Sequence, residues 1–299
     1  MEMLRAKWAA GRFVCVGLDP VWEKILPLPL KGLLSSDVVN AHEVTADFLI
    51  NIIKETKDIV CAFKPNLAFY LCDGERGIHT LAYLCGHIKK TCPDVPIILD
   101  AKFGDIDKTN VGLVKFAFEY CEVDAVTVNP YVGGEALLPF LNQLNKGIIV
   151  LARTSNKGSG EFQDLYTLSM NPRHKPSGMA DSEWLEVLCN ECMPLYERVA
   201  RHVATKWNKL GNCCVVVGAT YPAEAEEIRG AVGDLPFLIP GIGTQGGDIE
   251  KTVFASRDGK AEGMIISSSS GIIFSKDPRA KTLELHNQVT ACRLAQRYS

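Results

Sequence analysis

Short apolar runs with strand character recur along the chain at 13–18, 59–63, 96–99, 125–128, 147–151, 213–217, 237–239 and 263–266. Between them lie stretches whose apolar residues return every three or four positions, the spacing of one helix face: 38–56, 78–91, 108–120, 136–144, 181–207 and 222–231. The runs are apolar at nearly every position instead of alternating, as strands covered on both faces must be. Strand and helix alternating in this way predict a parallel (β/α)8 TIM barrel. A doubly wound sheet fits the same alternation, and the polar residues decide between the two. Asp19, Lys64, Asp100, Asn129, Arg153, Gly218 and Pro240 follow on the strand runs, and barrel enzymes build their sites from such strand ends.

Two segments break the pattern. Residues 155–180 are rich in Gly, Ser and Pro and too long for a simple connection, which makes them a candidate lid. Pro194 falls inside the helical stretch 181–207 and should kink it or begin a second helix. With no internal repeat, low-complexity tract or linker, residues 1–299 read as a single domain.

Composition narrows the class. The chain is 47% hydrophobic and 22% charged, enough to bury a large core. A formal net charge of −3 offers no electrostatic ground for nucleic acid or an anionic membrane as partner. No apolar stretch reaches the roughly 18 residues of a membrane span, and residues 1–8 lack a signal-peptide core, so the cytoplasm is expected. The 11 cysteines are scattered, and Cys15, Cys61, Cys213 and Cys214 sit in apolar runs, as reduced buried thiols do. Cys189 and Cys192 form a Cys-x-x-Cys, but without a second ligand pair they read as ordinary helix residues. The histidines have no metal spacing and are assigned no role.

The chemistry concentrates in 96–109, where an apolar strand run ends in Asp100-Ala101-Lys102-Phe103-Gly104-Asp105. Side chains alternate across a strand, so Asp100 and Lys102 are expected on one side. Gly104 then permits a tight turn, Asp105 enters the next helix, and Thr109 follows at i+4. Lys64 closes the preceding strand, so Lys64, Asp100, Lys102 and Asp105 can form an alternating array. An isolated Asp-x-Lys is more often a structural ion pair, but four charges at one barrel mouth are costly unless chemistry or binding requires them.

Gly241-x-Gly243-x-x-Gly246 has the form of a dinucleotide fingerprint. It comes late in the chain, and apolar Ile266 stands about 20 residues on, where a ribose-binding acid belongs. A phosphate cradle after the seventh strand explains the glycines better, with Gln245 adding a side-chain donor.

The pattern Asp-x-Lys-x-x-Asp-Ile-x-x-Thr resembles the signature of the orotidine 5'-phosphate decarboxylase family, and the chain is similar to that family's second, longer sequence group. Four more segments carry the resemblance in the same order: Val16-Gly17-Leu18-Asp19-Pro20, Phe63-Lys64-Pro65-Asn66, Arg153-Thr154-Ser155-Asn156, and Pro240-Gly241-Ile242-Gly243-Thr244-Gln245-Gly246-Gly247-Asp248. The resemblance implies decarboxylation of orotidine 5'-monophosphate to UMP in pyrimidine biosynthesis, with no metal or organic cofactor. Lys64, Asp100, Lys102 and Asp105 would be catalytic, Lys102 giving its proton to C6. Asp19, Asn66, Ile106, Thr109, Thr154, Ser155, Pro240, Gln245, Gly246 and Ser270 would bind substrate. It further implies a homodimer in which Asp105, Ile106 and Thr109 enter the partner's site, and it admits orotate phosphoribosyltransferase as an additional partner.

One position departs from the family. Ser270 stands where the phosphate site has an arginine, and serine cannot reproduce a bidentate, charged grip. Arg257, Lys276 and Arg279 are candidates to compensate. Two other functions compete: a keto-sugar phosphate decarboxylase using magnesium at a related Asp-x-Lys-x-x-Asp, and a non-catalytic nucleotide-binding barrel. Lys64 argues against the first, because a second lysine beside the carboxylates weakens the field that would hold the cation. Only Ser270 favours the second.

Overall fold

The computed structural model describes residues 1–25, 41–242 and 246–295. Eight strands form one parallel sheet: β1 (Val14–Gly17), β2 (Ala62–Lys64), β3 (Ile98–Phe103), β4 (Ala125–Val128), β5 (Gly147–Arg153), β6 (Cys213–Val217), β7 (Phe237–Pro240) and β8 (Met264–Ser268). Their order is β2-β1-β8-β7-β6-β5-β4-β3. Isolated parallel bridges, Phe63 to Ile97 and Asn66 to Asp100, join β2 to β3 and close the cylinder. Backbone N–H groups of Phe63, Leu67 and Asp100 donate across this seam to Pro96, Asp100 and Pro65 at 3.0, 3.1 and 2.9 Å. The predicted TIM barrel is the fold.

Each strand run is buried because helices cover the outside while facing strands fill the inside; Phe13, Phe63, Ile98, Val126, Ile149, Val215, Phe237 and Ile265 are all inaccessible or nearly so. The outer helices include Ala41–Thr56, Gly74–Thr91, Asp107–Lys115, Gly133–Leu141, Leu195–His202 and Pro222–Val232. The predicted helix 38–56 starts at Ala41 within the described part, and its first residues lie outside the described residues. Glu2–Ala9 covers the end of the barrel where the strands begin: buried Lys7 pairs with Asp94 just ahead of β3, and Met1 touches Cys214 at the start of β6.

Pro194 divides 181–207 as one of its two expected outcomes. Helix Asp181–Glu191 stops, Met193–Pro194 pairs antiparallel with Tyr166–Thr167, and a new helix begins at Leu195. The 155–180 segment contains the short turns Lys157–Ser159 and Gly160–Gln163.

The structure differs from the sequence pattern most at β3, which extends to Phe103. Its pairing with β4 runs Ile98 to Ala125 and Leu99 to Val126, then resumes at Phe103 with Val128. Asp100, Ala101 and Lys102 thus stand opposite the single residue Thr127, a bulge of the kind that re-aims side chains beside active sites. Simple alternation is not what turns Asp100 and Lys102 inward together. The left-handed conformation needed there falls on Lys102, at φ 51°.

Candidate active site

A cavity of about 640 Å³ opens at the carboxyl ends of the strands. Asp19, Lys64, Asn66, Asp100, Lys102, Thr154, Ser155, Pro240 and Ser270 all line it, drawn from segments spread across the chain. Gly17 allows the end of β1 to approach the segment after β8, since a Cβ there would stand 2.6 Å from that of Ser269. Gly218 does the same for the loop after β5, where a Cβ would meet the Ser155 Cα at 2.7 Å.

Asp100 is the hub. Its Oδ2 faces the Lys64 Nζ at 3.2 Å, and its Oδ1 takes the Lys102 Nζ at 2.7 Å and the Thr127 hydroxyl at 2.9 Å. Side-chain exposures of 7% for Lys64, 13% for Asp100 and 47% for Lys102 separate two anchored charges from one that reaches into open space. Burial pushes the Asp100 carboxyl up, but the Lys64 and Lys102 ammonium groups and the donors from Lys102 and Thr127 outweigh it and hold the group at about 2. Burial likewise opposes the charge on Lys64, yet Asp19 and Asp100 raise its pKa above the usual lysine value. The resting site therefore holds an ionised carboxylate and a protonated buried lysine. Below them the Cys15 thiol, pushed up to about 12 by burial, stays neutral.

Around this array the polar contacts are already made. Asp19 accepts from the Asn66 backbone N–H at 3.0 Å. The Thr154 hydroxyl donates to Asn156 Oδ1 at 2.7 Å, and the Gln163 amide brackets Thr154, accepting from its N–H and donating to its Oγ1, each at 2.9 Å. Arg153 is not part of the cavity. It is buried behind the wall, where it donates to Ser159 at 2.8 Å, pairs with Asp164 at 3.0 Å and stacks on Tyr221.

Asp105, Ile106 and Thr109 are exposed and do not line their own chain's cavity. Buried Asn110 fixes the turn that carries them, accepting from the Asp105 N–H at 3.1 Å and donating to the Asp105 and Ala136 carbonyls at 2.5 and 2.6 Å. Gly104 serves by close approach and not by a glycine-only φ: a Cβ would stand 3.0 Å from that of Asn129. Gln245 lies outside the described residues. Gly246 has φ 81° beside the loop closed by the Gly247 N–H on the Gly241 carbonyl at 3.2 Å, but is itself off the cavity wall. None of the candidates to replace the missing arginine reaches the cavity: Arg257 donates to the Arg293 and Ala295 carbonyls, Arg279 grips Asp58 through two bonds, and Lys276 stands outside the lining.

Two participants escaped the sequence reading. Thr127 sits in an apolar strand, where threonine is commonplace. Gln163 stands nine residues beyond Thr154 with no motif around it. Among the described residues no cluster of three or more His, Cys, Asp or Glu could hold a metal, and no helix is long and apolar enough to cross a membrane.

A closed (β/α)8 barrel whose mouth joins two anchored charges, Lys64 and Asp100, to a Lys102 that reaches into the cavity has the form of a barrel enzyme. The chain belongs to the orotidine 5'-phosphate decarboxylase / HUMPS family, which matches residues 12–175. An orotidine 5'-phosphate decarboxylase of Janthinobacterium sp. (strain Marseille) is 40% identical over 277 residues, 92% of this chain and 90% of that protein. Among solved structures, Leishmania donovani OMP decarboxylase superposes with a TM-score of 0.78 at 29% identity, covering 99% of this chain and 98% of its own. Leishmania donovani UMP synthase gives a TM-score of 0.81 at 31% identity over all of this chain, which spans 57% of that longer one.

Proposed function

We propose that Lys102 delivers the proton to C6 in the decarboxylation of orotidine 5'-monophosphate to UMP, the step of pyrimidine biosynthesis to which the family and its relatives assign this chain. The observation that carries this reading is the pair of lysines on the two oxygens of one buried, ionised carboxylate. The bond from C6 to its carboxylate breaks, carbon dioxide leaves, and the electron pair stays on C6 until the Lys102 ammonium protonates it. The neutral amine then regains a proton from water. A vinyl-type carbanion has little resonance relief, so a cation already oriented beside it supplies the main stabilisation. Asp100 sets Lys102 in place and, close to the substrate carboxylate, favours its departure by like-charge repulsion. Lys64 keeps Asp100 ionised.

No metal or organic cofactor enters this scheme. Both Asp100 oxygens are engaged by ammonium groups, a poor setting for a divalent cation, which speaks against the magnesium-dependent sugar-phosphate reaction. Asp19 and Asn66 would meet the ribose hydroxyls, Thr154 and Ser155 the pyrimidine, and Pro240, Gln245, Gly246 and Ser270 the phosphate end. Phosphate lies far from C6, and its binding would drive ordering of the site, with 155–180 as the lid.

The working unit in this reading is a cytoplasmic homodimer, a setting that 11 free cysteines suit. Asp105, Ile106 and Thr109 would complete the partner's site; the 66% exposure of Ile106 supports their facing outward to another chain. Association with orotate phosphoribosyltransferase is the second partnership, suggested by the longer UMP synthase chain.

Release of carbon dioxide from orotidine 5'-monophosphate by the purified protein tests the reaction. Lys102→Ala tests the proton donor: decarboxylation is lost while UMP binding survives, and substantial turnover by that variant would defeat the assignment.

A further inference from the structure

We infer that Thr127 is a positioning residue for this reaction, its one hydroxyl holding both the Asp100 carboxylate and the backbone of Lys102 in their working arrangement. The inference rests on the catalytic reading of Asp100 and Lys102. Thr127 is 1% exposed and lies behind the array, outside the cavity lining, so it cannot meet substrate.

The direction of its two hydrogen bonds is fixed by chemistry. The Lys102 backbone N–H can only donate, so the Thr127 oxygen accepts from it, at 2.8 Å. The hydroxyl proton then goes to Asp100 Oδ1, 2.9 Å away, which accepts because Asp100 is ionised. That same oxygen receives the Lys102 Nζ. One side chain thus ties together the carboxylate and the backbone of the lysine it orients.

The bulge explains why a side chain is needed. Between the Leu99–Val126 and Phe103–Val128 pairings, β3 has three residues facing Thr127 alone, and the regular ladder is interrupted. Lys102 takes φ 51°, a left-handed conformation that residues with a Cβ seldom adopt without support. Its N–H has left the backbone pairing of a regular strand and ends on Thr127 Oγ1 instead. The hydroxyl substitutes for the missing ladder partner and holds the bend that points Lys102 into the cavity.

Thr127→Val removes the hydroxyl while keeping the shape, and Thr127→Ser keeps the hydroxyl while removing a methyl. Both are compared with the unaltered protein in kcat and KM for orotidine 5'-monophosphate, UMP affinity and thermal unfolding. The valine variant is expected to lose roughly 10- to 100-fold in kcat, the scale of a displaced catalytic group, with KM and UMP affinity within about threefold. Serine is expected to restore kcat to within about threefold of the parent. A valine variant as active as the parent, or serine and valine variants equally impaired, overturns the inference. Thr127→Ala serves as a second deletion: if it and valine both fail to fold while serine is fully active, the hydroxyl belongs to folding and the positioning role is wrong. Absence of turnover in the unaltered protein defeats the catalytic reading itself, whereas an active parent with an unaffected valine variant defeats only the role of Thr127.

Discussion

The Arg153 guanidinium lies 3.8 Å from the ring centre of Tyr221, stacking the last residue of β5 against the segment that follows β6. The same group bonds Ser159 and Asp164 on the segment after β5, so one buried cation fastens two neighbouring loops of the cavity wall. Replacing it strands these acceptors in a space built for a planar fork.

Arg153→Ala is expected to lower stability by about 2–3 kcal/mol, below the cost of breaking a fully buried pair because Asp164 is half exposed. Urea unfolding measures the loss. Limited proteolysis should cut earlier within 155–180, and an unchanged cleavage rate would mean that the wall is held by other contacts.

Asp100 makes the acid limb of stability predictable. Its carboxyl is lowered from 3.8 to about 2 in the fold, so its contribution is present above about pH 4 and is lost as pH falls toward 2. The shift corresponds to about 2 kcal/mol. Unfolding free energies of the parent and Asp100→Asn should converge by about this amount between pH 5 and pH 2. A constant gap across that range would contradict an ionised Asp100 in the resting site.

Ser270 lines the cavity where the family pattern has arginine, and none of Arg257, Lys276 or Arg279 lines it with Ser270. Ser270→Arg is expected to tighten UMP binding by about 1.5–3 kcal/mol, the range of a hydrogen bond to a charged group. Calorimetric titration of both proteins checks it; equal affinities would show that the phosphate end is served by another cation.

Shared sites in a two-fold dimer predict rescue between two inactive proteins. When Lys102→Ala and Asp105→Ala chains are mixed, one site of each mixed dimer keeps Lys102 and borrows an intact Asp105, while the other carries both lesions. Random exchange sets a ceiling of about a quarter of parental activity. With exchange verified by mass, activity no higher than that of the separate variants would confine Asp105 to its own chain.

The barrel could be read from the chain because parallel strands buried on both faces leave uninterrupted apolar runs, and 125–128 and 213–217 are found where expected. Helix Pro278–Leu294 escaped the pattern since Thr282 takes one of its buried positions beside Leu285 and Val289; its start is marked by Asp277, which caps the Ala280 N–H, and by Pro278. In the site, Lys64, Asp100 and Lys102 announced themselves as charges that end apolar strands. Thr127 did not, because its meaning comes from a bulge in the neighbouring strand. Arg153 was visible as a charge, but its direction depends on Tyr221, 68 positions further on.

The ion pair across the seam between β2 and β3 gives this joint of the barrel a mechanical role. Lys64 belongs to one lip of the seam, while Asp100 and Lys102 belong to the other, and Asp100 also supplies backbone atoms to the closure. The ion pair is thus a rivet through the last joint of the cylinder. Any ligand gripped from both lips acts as a second rivet, so occupancy tightens the hoop, and a hoop already shut offers the ligand a finished grip.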